Sequence, residues 1–527
     1  MNSSASQSPK IISSATMAVI DIGSTSIRMT IADAGDNKQP RPIEFLQQSV
    51  SLGKDVFTKG YIEKTTIESC VKTLRGFRKL LDEYGVTGSD AVRAVATAAV
   101  REASNREEFI ERMHIGSGIV VEIIDAADAA RLNYLGVRPL LKKDRLINRC
   151  DVLIAEIGGG STEVCYLRRE GIAFTQAFRL GSLRLREMLE SSHVPVSNQG
   201  PLMENDIDRI IKQILGGISD KRAVTLIALG GDMRFAASQL LPQWNTVSPV
   251  SLPVNTFEKF VDKIAALSVQ KIVRKYYLPY VEAETAGPAL MFYLRLAKAL
   301  HLKRVIAAGV SMRDGVFMEM GKNGAWTEEL KDIIIASALS IGEKYRTDIA
   351  HVKHVSKLCF RIFTALAPEH GLGQRHMLLL RVAAILHDIG LFINSQNHHK
   401  HSQYLIENCD LFGLNRPDLA LVALISRYHR RTTPRPTHVG YAALSRETRS
   451  VVSKLAAILR IADALDHSHT QRVDDIDCSI EDGRFIISVP GVQDVSIEQV
   501  ALQNKGNMFE DVYGLQALVR PAYAAKE

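Results

Sequence analysis

Two segments of the chain share one order of apolar and polar positions. Residues 17–22 are an apolar run that contains Asp21 and leads into a turn of glycine and hydroxyl residues, after which residues 27–31 are apolar again. About 135 residues later, the segment 155–164 (AEIGGGSTEV) repeats this order with three consecutive glycines. Short apolar runs bounded by such turns are typical of buried strands. The sequence therefore predicts two β-hairpins, each with an acid before its turn.

Around the hairpins, the periodicity alternates between strand and helix. The pattern predicts helices at residues 65–84, 101–112 and 205–216, and strands at 225–229 and 304–308. From about residue 325 it changes to long amphipathic helices, and strand patterns return only near 475–500. We therefore predict a disordered leader at 1–16, an α/β subdomain at 17–135, a second at 136–322, a helical domain at 323–470 and a small α+β segment at 471–527.

The turns of both hairpins have the composition of a phosphate-binding loop. Glycine lets backbone N–H groups approach phosphate oxygens, and serine and threonine hydroxyls donate to the same oxygens. Carboxylates beside such a loop suit Mg²⁺, which prefers carboxylates, water and phosphate oxygens. Each turn alone also suits an ordinary hairpin, but two in one chain favour a shared anion. The predicted phosphate-binding residues are Gly23, Ser24, Thr25, Gly158, Gly159, Gly160, Ser161 and Thr162, and the predicted Mg²⁺ ligands are Asp21, Glu156 and Glu163.

Three further glycines follow predicted strands, where main-chain donors reach a cleft. Gly230 and Gly231 end the strand at 225–229, and Gly309 ends the strand at 304–308. Each of them, taken singly, is equally suited to a packing turn. We predict that all three line the ligand site.

Composition narrows the class of protein. A chain of 527 residues is too long for one core, and 46% hydrophobic residues with a mean hydropathy near zero are typical of a soluble globular protein. The net charge of +7 can steer a polyanion, whereas aromatic and basic residues do not interleave as in RNA-binding proteins. Six cysteines without CxxC pairs predict reduced thiols in a cytoplasm. We expect no membrane association and no specific nucleic-acid partner.

Several motifs resemble, in order, those of the exopolyphosphatase and guanosine pentaphosphate phosphohydrolase (Ppx/GppA) family over nearly the whole chain. Beyond the two hairpins, they are ATAAVREASN (96–105), EIIDAADAARLNYLGV (122–137), FRLGSLRL (178–185), ALGGDMR (228–234) and AAGVSMRDGV (307–316). The resemblance implies duplicated actin/hexokinase/Hsp70-like (ribonuclease H-like) α/β domains, hydrolysis of phosphoanhydrides and a homodimer through the C-terminal region. It also matches Glu163 to a catalytic carboxylate and Arg101 to an arginine that stabilises phosphate or the domain. The predicted catalytic residues are Glu163, Glu156, Asp128 and Arg101.

The chain departs from the family pattern at two positions. The acid before the glycine triplet is usually aspartate, and here it is Glu156, which is one methylene longer. The family's general base falls on Ala129. Asp128 or Asp125 could serve instead, although neighbouring helix positions point about 100° apart. A one-residue shift of the alignment would restore Asp128.

The helical region carries residues of the type that bind metals. His351, His387, Asp388 and Asp463 occur in the order of the HD phosphohydrolase superfamily, with His401 and His429 between the paired motif and the last acid. The resemblance implies an all-α HD-like domain that could bind a second divalent metal ion through imidazole and carboxylate ligands. The alternative is a structural role, in which these side chains are satisfied within a helical core.

Three functions follow from these patterns. The first is an exopolyphosphatase that releases orthophosphate from inorganic polyphosphate, with Mg²⁺ as its cofactor. The second is hydrolysis of guanosine pentaphosphate by the same fold and chemistry. The third is a polyphosphate or alarmone sensor that barely turns over, with any hydrolysis in the HD-like domain; the alanine at the base position supports it, because loss of a general base costs about 100 to 10,000-fold in rate.

Overall fold

The chain folds into two compact units, Met1–Ala325 and Trp326–Glu527. The structure is a computed structural model that describes residues 16–33, 40–144, 150–168, 171–191, 196–218, 222–246, 248–321, 327–430 and 432–522. The predicted leader lies outside these residues except for Thr16, which begins the first strand. Among the described helices, none combines the length and the apolar character that crossing a bilayer requires.

The described part of unit 1 is an α/β structure. Its strands are β1 (Thr16–Ile22), β2 (Ser26–Asp33), β3 (Arg41–Ser49), β4 (Val92–Ala96), β5 (Val121–Ile123), β6 (Asp151–Ile157), β7 (Thr162–Arg168), β8 (Gly171–Phe178), β9 (Val224–Ala228), β10 (Val250–Pro253) and β11 (Arg304–Ala307). Its helices are α1 (Leu52–Lys59), α2 (Lys64–Glu83), α3 (Ala98–Glu102), α4 (Arg106–Ser117), α5 (Ala126–Asp144), α6 (Ser182–Ser191), α7 (Val196–Gly216), α8 (Gly231–Leu240), α9 (Val254–Ala265), α10 (Val269–Tyr276), α11 (Tyr280–Ala299) and α12 (Met312–Met320), with a 3₁₀ turn at Ser89–Ala91.

The two sheets of unit 1 repeat one topology. The first has the order β3-β2-β1-β4-β5, and the second has the order β10-β11-β9-β6-β7-β8. In the first, β1 pairs antiparallel with β2 and parallel with β4. In the second, β6 pairs antiparallel with β7 and parallel with β9, and β10 adds an antiparallel edge. Each half buries its own apolar core. The predicted duplicated α/β fold is confirmed.

The predicted helix at 101–112 is wrong in one respect, because the chain forms two helices there. It leaves α3 after Glu102 and begins α4 at Arg106. Between them, the side chain of Asn105 binds the backbone of Ile62 twice: Oδ1 accepts from the N–H, and Nδ2 donates to the carbonyl, each at 2.9 Å. An amide that pairs with a distant segment in this way favours a break in the helix.

Unit 2 consists of helices followed by a small sheet. Its helices are α13 (Glu328–Lys344), α14 (Ile349–Ala365), α15 (Ala367–His370), α16 (Gln374–Leu386), α17 (His398–Glu407), α18 (Arg416–Arg427), α19 (Arg446–Leu465), α20 (Ser496–Lys505) and α21 (Asn507–Tyr513), with a 3₁₀ turn at Ile389–Phe392. Its strands are β12 (Asp477–Glu481), β13 (Arg484–Pro490) and β14 (Gln516–Ala522), in the order β12-β13-β14. A helical region followed by an α+β segment matches the predicted pattern.

Candidate functional site

The turns of the two hairpins in unit 1 close in the same way. The Gly23 N–H donates to the Ser26 carbonyl at 3.0 Å, and the Gly158 N–H donates to the Ser161 carbonyl at 2.8 Å. The strand register is also equivalent, since the acid two residues before each turn lies opposite the residue two positions after it, Arg28 in the first hairpin and Glu163 in the second. The two loops are therefore corresponding parts of the duplicated fold.

A helix N-terminus braces each turn. At the start of α1, the Gly53 N–H donates to the Ser24 carbonyl at 2.8 Å. At the start of α6, the Ser182 N–H donates to the Gly158 carbonyl at 2.9 Å. Each loop is therefore fixed in place by the helix that follows it.

The two loops approach each other closely across one cleft. A Cβ on Gly159 would lie 3.0 Å from the Ser24 Cβ, and one on Gly160 would lie 2.5 Å from the Phe57 ring. A Cβ on Gly181 would overlap the Gly159 carbonyl. Glycine is required at these positions by the close packing of the loops.

Most of the residues predicted for the site line this cleft. They are Asp21, Gly23, Ser24, Thr25, Arg101, Glu156, Gly158, Gly159, Gly160, Ser161, Glu163, Gly230 and Gly231. Arg101 is held there by its Nη1, which donates to the Ile124 carbonyl at 3.0 Å. The sequence pattern thus located the loops and the strand ends that meet at the cleft.

Thr162 and Asp128 are directed elsewhere. The Thr162 hydroxyl is buried and donates to the Leu180 carbonyl, so it cannot serve a phosphate in the cleft. Asp128 accepts a hydrogen bond from Arg131 Nη2 at 3.2 Å and does not belong to the cleft lining. On the next position of α5, Ala129 does line the cleft, but it carries no ionisable group.

Gly309 was expected in the cleft and lies instead in a neighbouring cavity. A Cβ at this position would overlap the carbonyl of Thr246, so the glycine permits a close approach of two backbone segments. The cavity it lines shares Arg234, Ser311 and Arg313 with the cleft. The glycine at position 309 is therefore explained by the close packing of these two backbone segments.

Three arginines that the sequence reasoning missed line the cleft: Arg28, Arg234 and Arg313. Burial lowers the pKa of Arg234 and of Arg313, and the neighbouring guanidinium groups lower it further. Arg313 Nη1 lies 3.4 Å from Asp21 Oδ2. Arg234 ends the motif ALGGDMR, Arg313 lies within AAGVSMRDGV and Arg28 lies in the returning strand of the first hairpin, which was the available signal. Such mutual repulsion in a buried cleft favours an anionic ligand.

Several carboxyl groups in the cleft hold their protons more tightly than usual. Burial raises the pKa of Glu163 to about 7, although the Ser161 hydroxyl donates to this carboxyl. Burial likewise raises the pKa of Asp232 to about 7. It also raises the pKa of Glu156, which accepts a hydrogen bond from Asn133 Nδ2 at 2.6 Å. Carboxyl groups of this kind suit proton transfer near neutral pH.

The predicted Mg²⁺ ligands, Asp21, Glu156 and Glu163, do not form a compact three-ligand group. Among the described residues, the side-chain groups close enough to share one ion lie in unit 2. Mg²⁺ usually keeps several waters and takes only one or two carboxylates. Mg²⁺ held by one or two of these acids would need no such three-ligand group.

In unit 2, the four predicted metal ligands meet in one buried cluster. Asp463 Oδ1 lies 3.7 Å from His351 Nε2 and 3.9 Å from His387 Nε2. Asp388 Oδ2 lies 3.5 Å from His387 Nε2. The Nε2 atoms of both histidines are buried and have no hydrogen-bond partner within the described part of the chain. Two orphaned imidazole nitrogens beside two carboxylates are the pattern of a metal site.

Two further histidines complete the cluster on the other side of Asp388. Its Oδ1 lies 3.3 Å from His398 Nε2 and 3.7 Å from His429 Nε2. Their Nδ1 atoms lie 3.1 Å and 2.6 Å from backbone carbonyls, which leaves Nε2 as the lone-pair donor. Burial lowers the pKa of His429 to about 3, which keeps its ring neutral. The sequence reasoning named His401 and missed His398.

The duplicated fold, the facing glycine loops and the arginine-lined cleft define an actin-like α/β protein with a phosphate-type site. The comparisons with known proteins agree. The chain belongs to the Ppx/GppA phosphatase family, whose model matches residues 30–323, and the model of domain III of Ppx/GppA phosphatases matches residues 333–501.

Relatives and a solved structure extend this assignment. The guanosine-5'-triphosphate,3'-diphosphate pyrophosphatase of Photobacterium profundum is 22% identical over 90% of this chain and 91% of its own length. The protein of the same name from Aeromonas hydrophila is 26% identical over 86% and 88%. An exopolyphosphatase structure from Cytophaga hutchinsonii has a TM-score of 0.53 and 24% identity, covering 58% of this chain and 98% of its own. The similarity to this solved structure supports the duplicated α/β fold of unit 1.

Proposed function

We propose that the cleft of unit 1 hydrolyses the terminal phosphoanhydride of inorganic polyphosphate and releases orthophosphate. The observation that carries this proposal is a pair of buried donors in the cleft. Arg234 Nη1 and Ser26 Oγ have no hydrogen-bond partner among the described residues, although both belong to the cleft lining. Buried donors are almost always satisfied in proteins, and beside the buried arginines of the cleft an anionic ligand is the partner that we propose for them.

The chemistry follows from where these donors lie. A phosphoryl group in transfer carries negative charge on its equatorial oxygens, and catalysis consists mainly of placing donors and cations around it. The N–H groups of the loops at Ser24 and Gly159, with Arg234 and Arg101, suit that task. Mg²⁺, when bound near Asp21, would supply further positive charge for the phosphate oxygens.

Two substrates share this chemistry. Guanosine pentaphosphate is the alternative, and it is supported by the names of the Photobacterium and Aeromonas relatives. We propose polyphosphate first, because the charged groups named for the cleft recognise phosphate and none of the observations identifies a base-binding group. A cytoplasmic homodimer remains part of the same prediction.

The test is orthophosphate release from long polyphosphate and from guanosine pentaphosphate, with and without Mg²⁺. We expect Mg²⁺-dependent release that falls by about 100-fold or more in Glu163→Gln, the size of effect typical of removing a carboxyl group that donates a proton in the reaction. The exposed Glu111 provides the control, and Glu111→Gln should behave as the wild type. Equal rates for Glu163→Gln and the wild type would refute the role of Glu163.

A second function is favoured by the cluster in unit 2. We propose that His351, His387, Asp388 and Asp463 bind a divalent transition-metal ion, because the orphaned Nε2 atoms of both histidines point at the carboxylates. If this centre hydrolyses phosphate compounds, unit 1 could act as a sensor that binds polyphosphate or an alarmone with little turnover.

Metal content and activity separate the two readings. The wild type, purified after loading with Mn²⁺, should retain metal that His387→Gln loses, whereas the exposed His467 makes His467→Gln the matched control. If Glu163→Gln keeps all phosphate release and His387→Gln abolishes it, the sensor reading is correct. The opposite result supports hydrolysis in unit 1.

A further inference from the structure

Helix α5 presents two side chains of very different chemistry to the cleft. Ala129 and Asn133 both line it, one helical turn apart on the same face. Ala129 offers only a methyl group and packs against an apolar cluster behind the cleft. Asn133 is almost fully buried and offers an amide.

The amide of Asn133 is oriented by Glu156, which reaches it from β6. Asn133 Nδ2 donates to Glu156 Oε2 at 2.6 Å. An ionised carboxylate only accepts hydrogen bonds, so the nitrogen must face Glu156 and the oxygen must face away. That oxygen, Oδ1, is buried and has no hydrogen-bond partner among the described residues. An unsatisfied acceptor beside a carboxylate is a place for one water molecule.

The other acids near this point are engaged differently. Asp21 lies 3.4 Å from Arg313 Nη1 and forms an ion pair with it. Glu163 accepts from the Ser161 hydroxyl within its own hairpin. Asp128 pairs with Arg131 outside the cleft lining. Of these four acids, Glu156 is the one that is hydrogen-bonded to Asn133 of α5, and it also precedes the second glycine loop.

We propose that Glu156 is the general base of the cleft and that Asn133 is a positioning residue, which holds both the carboxylate and the attacking water beside Ala129. This inference rests on the proposed hydrolysis. The water oxygen forms a bond to the terminal phosphorus while its proton passes to a Glu156 oxygen. The bridging P–O bond breaks, and its electron pair leaves with the shortened chain, whose charge the arginines offset.

A carboxylate at position 129 would stand on the same face of α5 as Asn133, which Glu156 approaches from β6.

A transplant of the carboxylate tests the inference. Glu156→Gln should lower orthophosphate release by about 100-fold or more, in the range typical for a lost general base. Adding Ala129→Glu to that variant should recover at least about tenfold of the rate, because it returns a carboxylate to the same space. The control is Ala129→Gln added to Glu156→Gln, which supplies a side chain of the same volume without the charge. It should recover none of the lost rate.

The split between kcat and KM tests the positioning role of Asn133. Its amide holds the Glu156 carboxylate and, through Oδ1, the attacking water. Asn133→Leu should therefore lower kcat by about tenfold or more and leave KM for polyphosphate within about threefold, whereas a merely structural loss would change both. An unchanged kcat, or an equal change of kcat and KM, would overturn the role of Asn133.

The remaining outcomes separate this inference from the function on which it rests. Release by Glu156→Gln within about threefold of the wild type would overturn Glu156 as the base. Equal recovery by the glutamine and glutamate transplants, or no recovery by the glutamate transplant, would also overturn it. If the wild type releases no phosphate from polyphosphate or guanosine pentaphosphate, the proposed function fails and this inference fails with it.

Discussion

Replacing Glu163 by glutamine is expected to stabilise unit 1 at neutral and alkaline pH, and this effect can be measured without any substrate. Burial raises the pKa of the Glu163 carboxyl from 4.5 to about 7 in the folded protein. Between these two pH values the folded state binds a proton that the unfolded chain has released. The stability of the wild type therefore falls as pH rises from about 4.5 to about 7.

The size of the effect follows from the two pKa values. One pH unit of difference corresponds to about 1.4 kcal/mol, so the full change from 4.5 to about 7 amounts to about 3 kcal/mol. Glutamine has the same shape and no charge to desolvate. The variant and the wild type should therefore be about equally stable below pH 4.5, and the variant should be more stable by up to about 3 kcal/mol above pH 7.

Hydrogen exchange followed by mass spectrometry is the suitable assay, because it reports on peptides of β6 and β7 separately from unit 2. The difference in opening free energy between Glu163→Gln and the wild type should grow with pH. Glu111→Gln, at an exposed position, should show no such growth. A difference that is constant from pH 5 to 8, or that shrinks as pH rises, would refute the reasoning.

Three further substitutions probe other parts of the molecule. Gly181→Ala should destabilise unit 1 by about 1–3 kcal/mol and lower phosphate release, because the new Cβ would overlap a backbone carbonyl of the glycine triplet. Thermal unfolding measures this effect, with Gly287→Ala as the control, because a Cβ at position 287 meets no atom within 4 Å. Arg234→Met should raise KM for polyphosphate by about 10 to 100-fold, the worth of a charged hydrogen bond, in steady-state kinetics. Lys505→Met should lower the stability of unit 2 by about 3 kcal/mol in thermal unfolding, because it leaves the Asp463 carboxylate buried without its cation. Added Mn²⁺ should restore the stability. An unchanged melting temperature of the metal-free variant would contradict the role of Lys505.

The sequence sufficed for the hairpins because their determinants are local. Apolar strands and Gly/Ser turns specify a hairpin within about 15 residues, and both hairpins lie where the pattern predicted them. The duplicated fold followed from the order of motifs. In contrast, the convergence of Arg28, Arg234 and Arg313 depends on segments far apart in the chain, and no local pattern reports it.

Side-chain direction accounts for other differences between the expected and observed sites. Successive residues of a strand face opposite sides, so Glu163 in the cleft requires Thr162 to point into the core. On α5, Asp128 and Ala129 diverge by about 100°, which directs the acid to Arg131 and the alanine to the cleft. These directions could have been derived once one member of each pair was assigned to the cleft.

The equivalence of the two hairpins also shows where they have diverged. Asp21 lies opposite Arg28 on the first hairpin, and Glu156 lies opposite Glu163 at the same positions on the second. One hairpin thus presents an acid and a cation to the cleft, whereas the other presents two acids with raised pKa values. In the proposed reaction, positive charge binds the phosphate chain and carboxyl groups transfer protons, so the two halves of the duplicated fold would supply different requirements of that reaction.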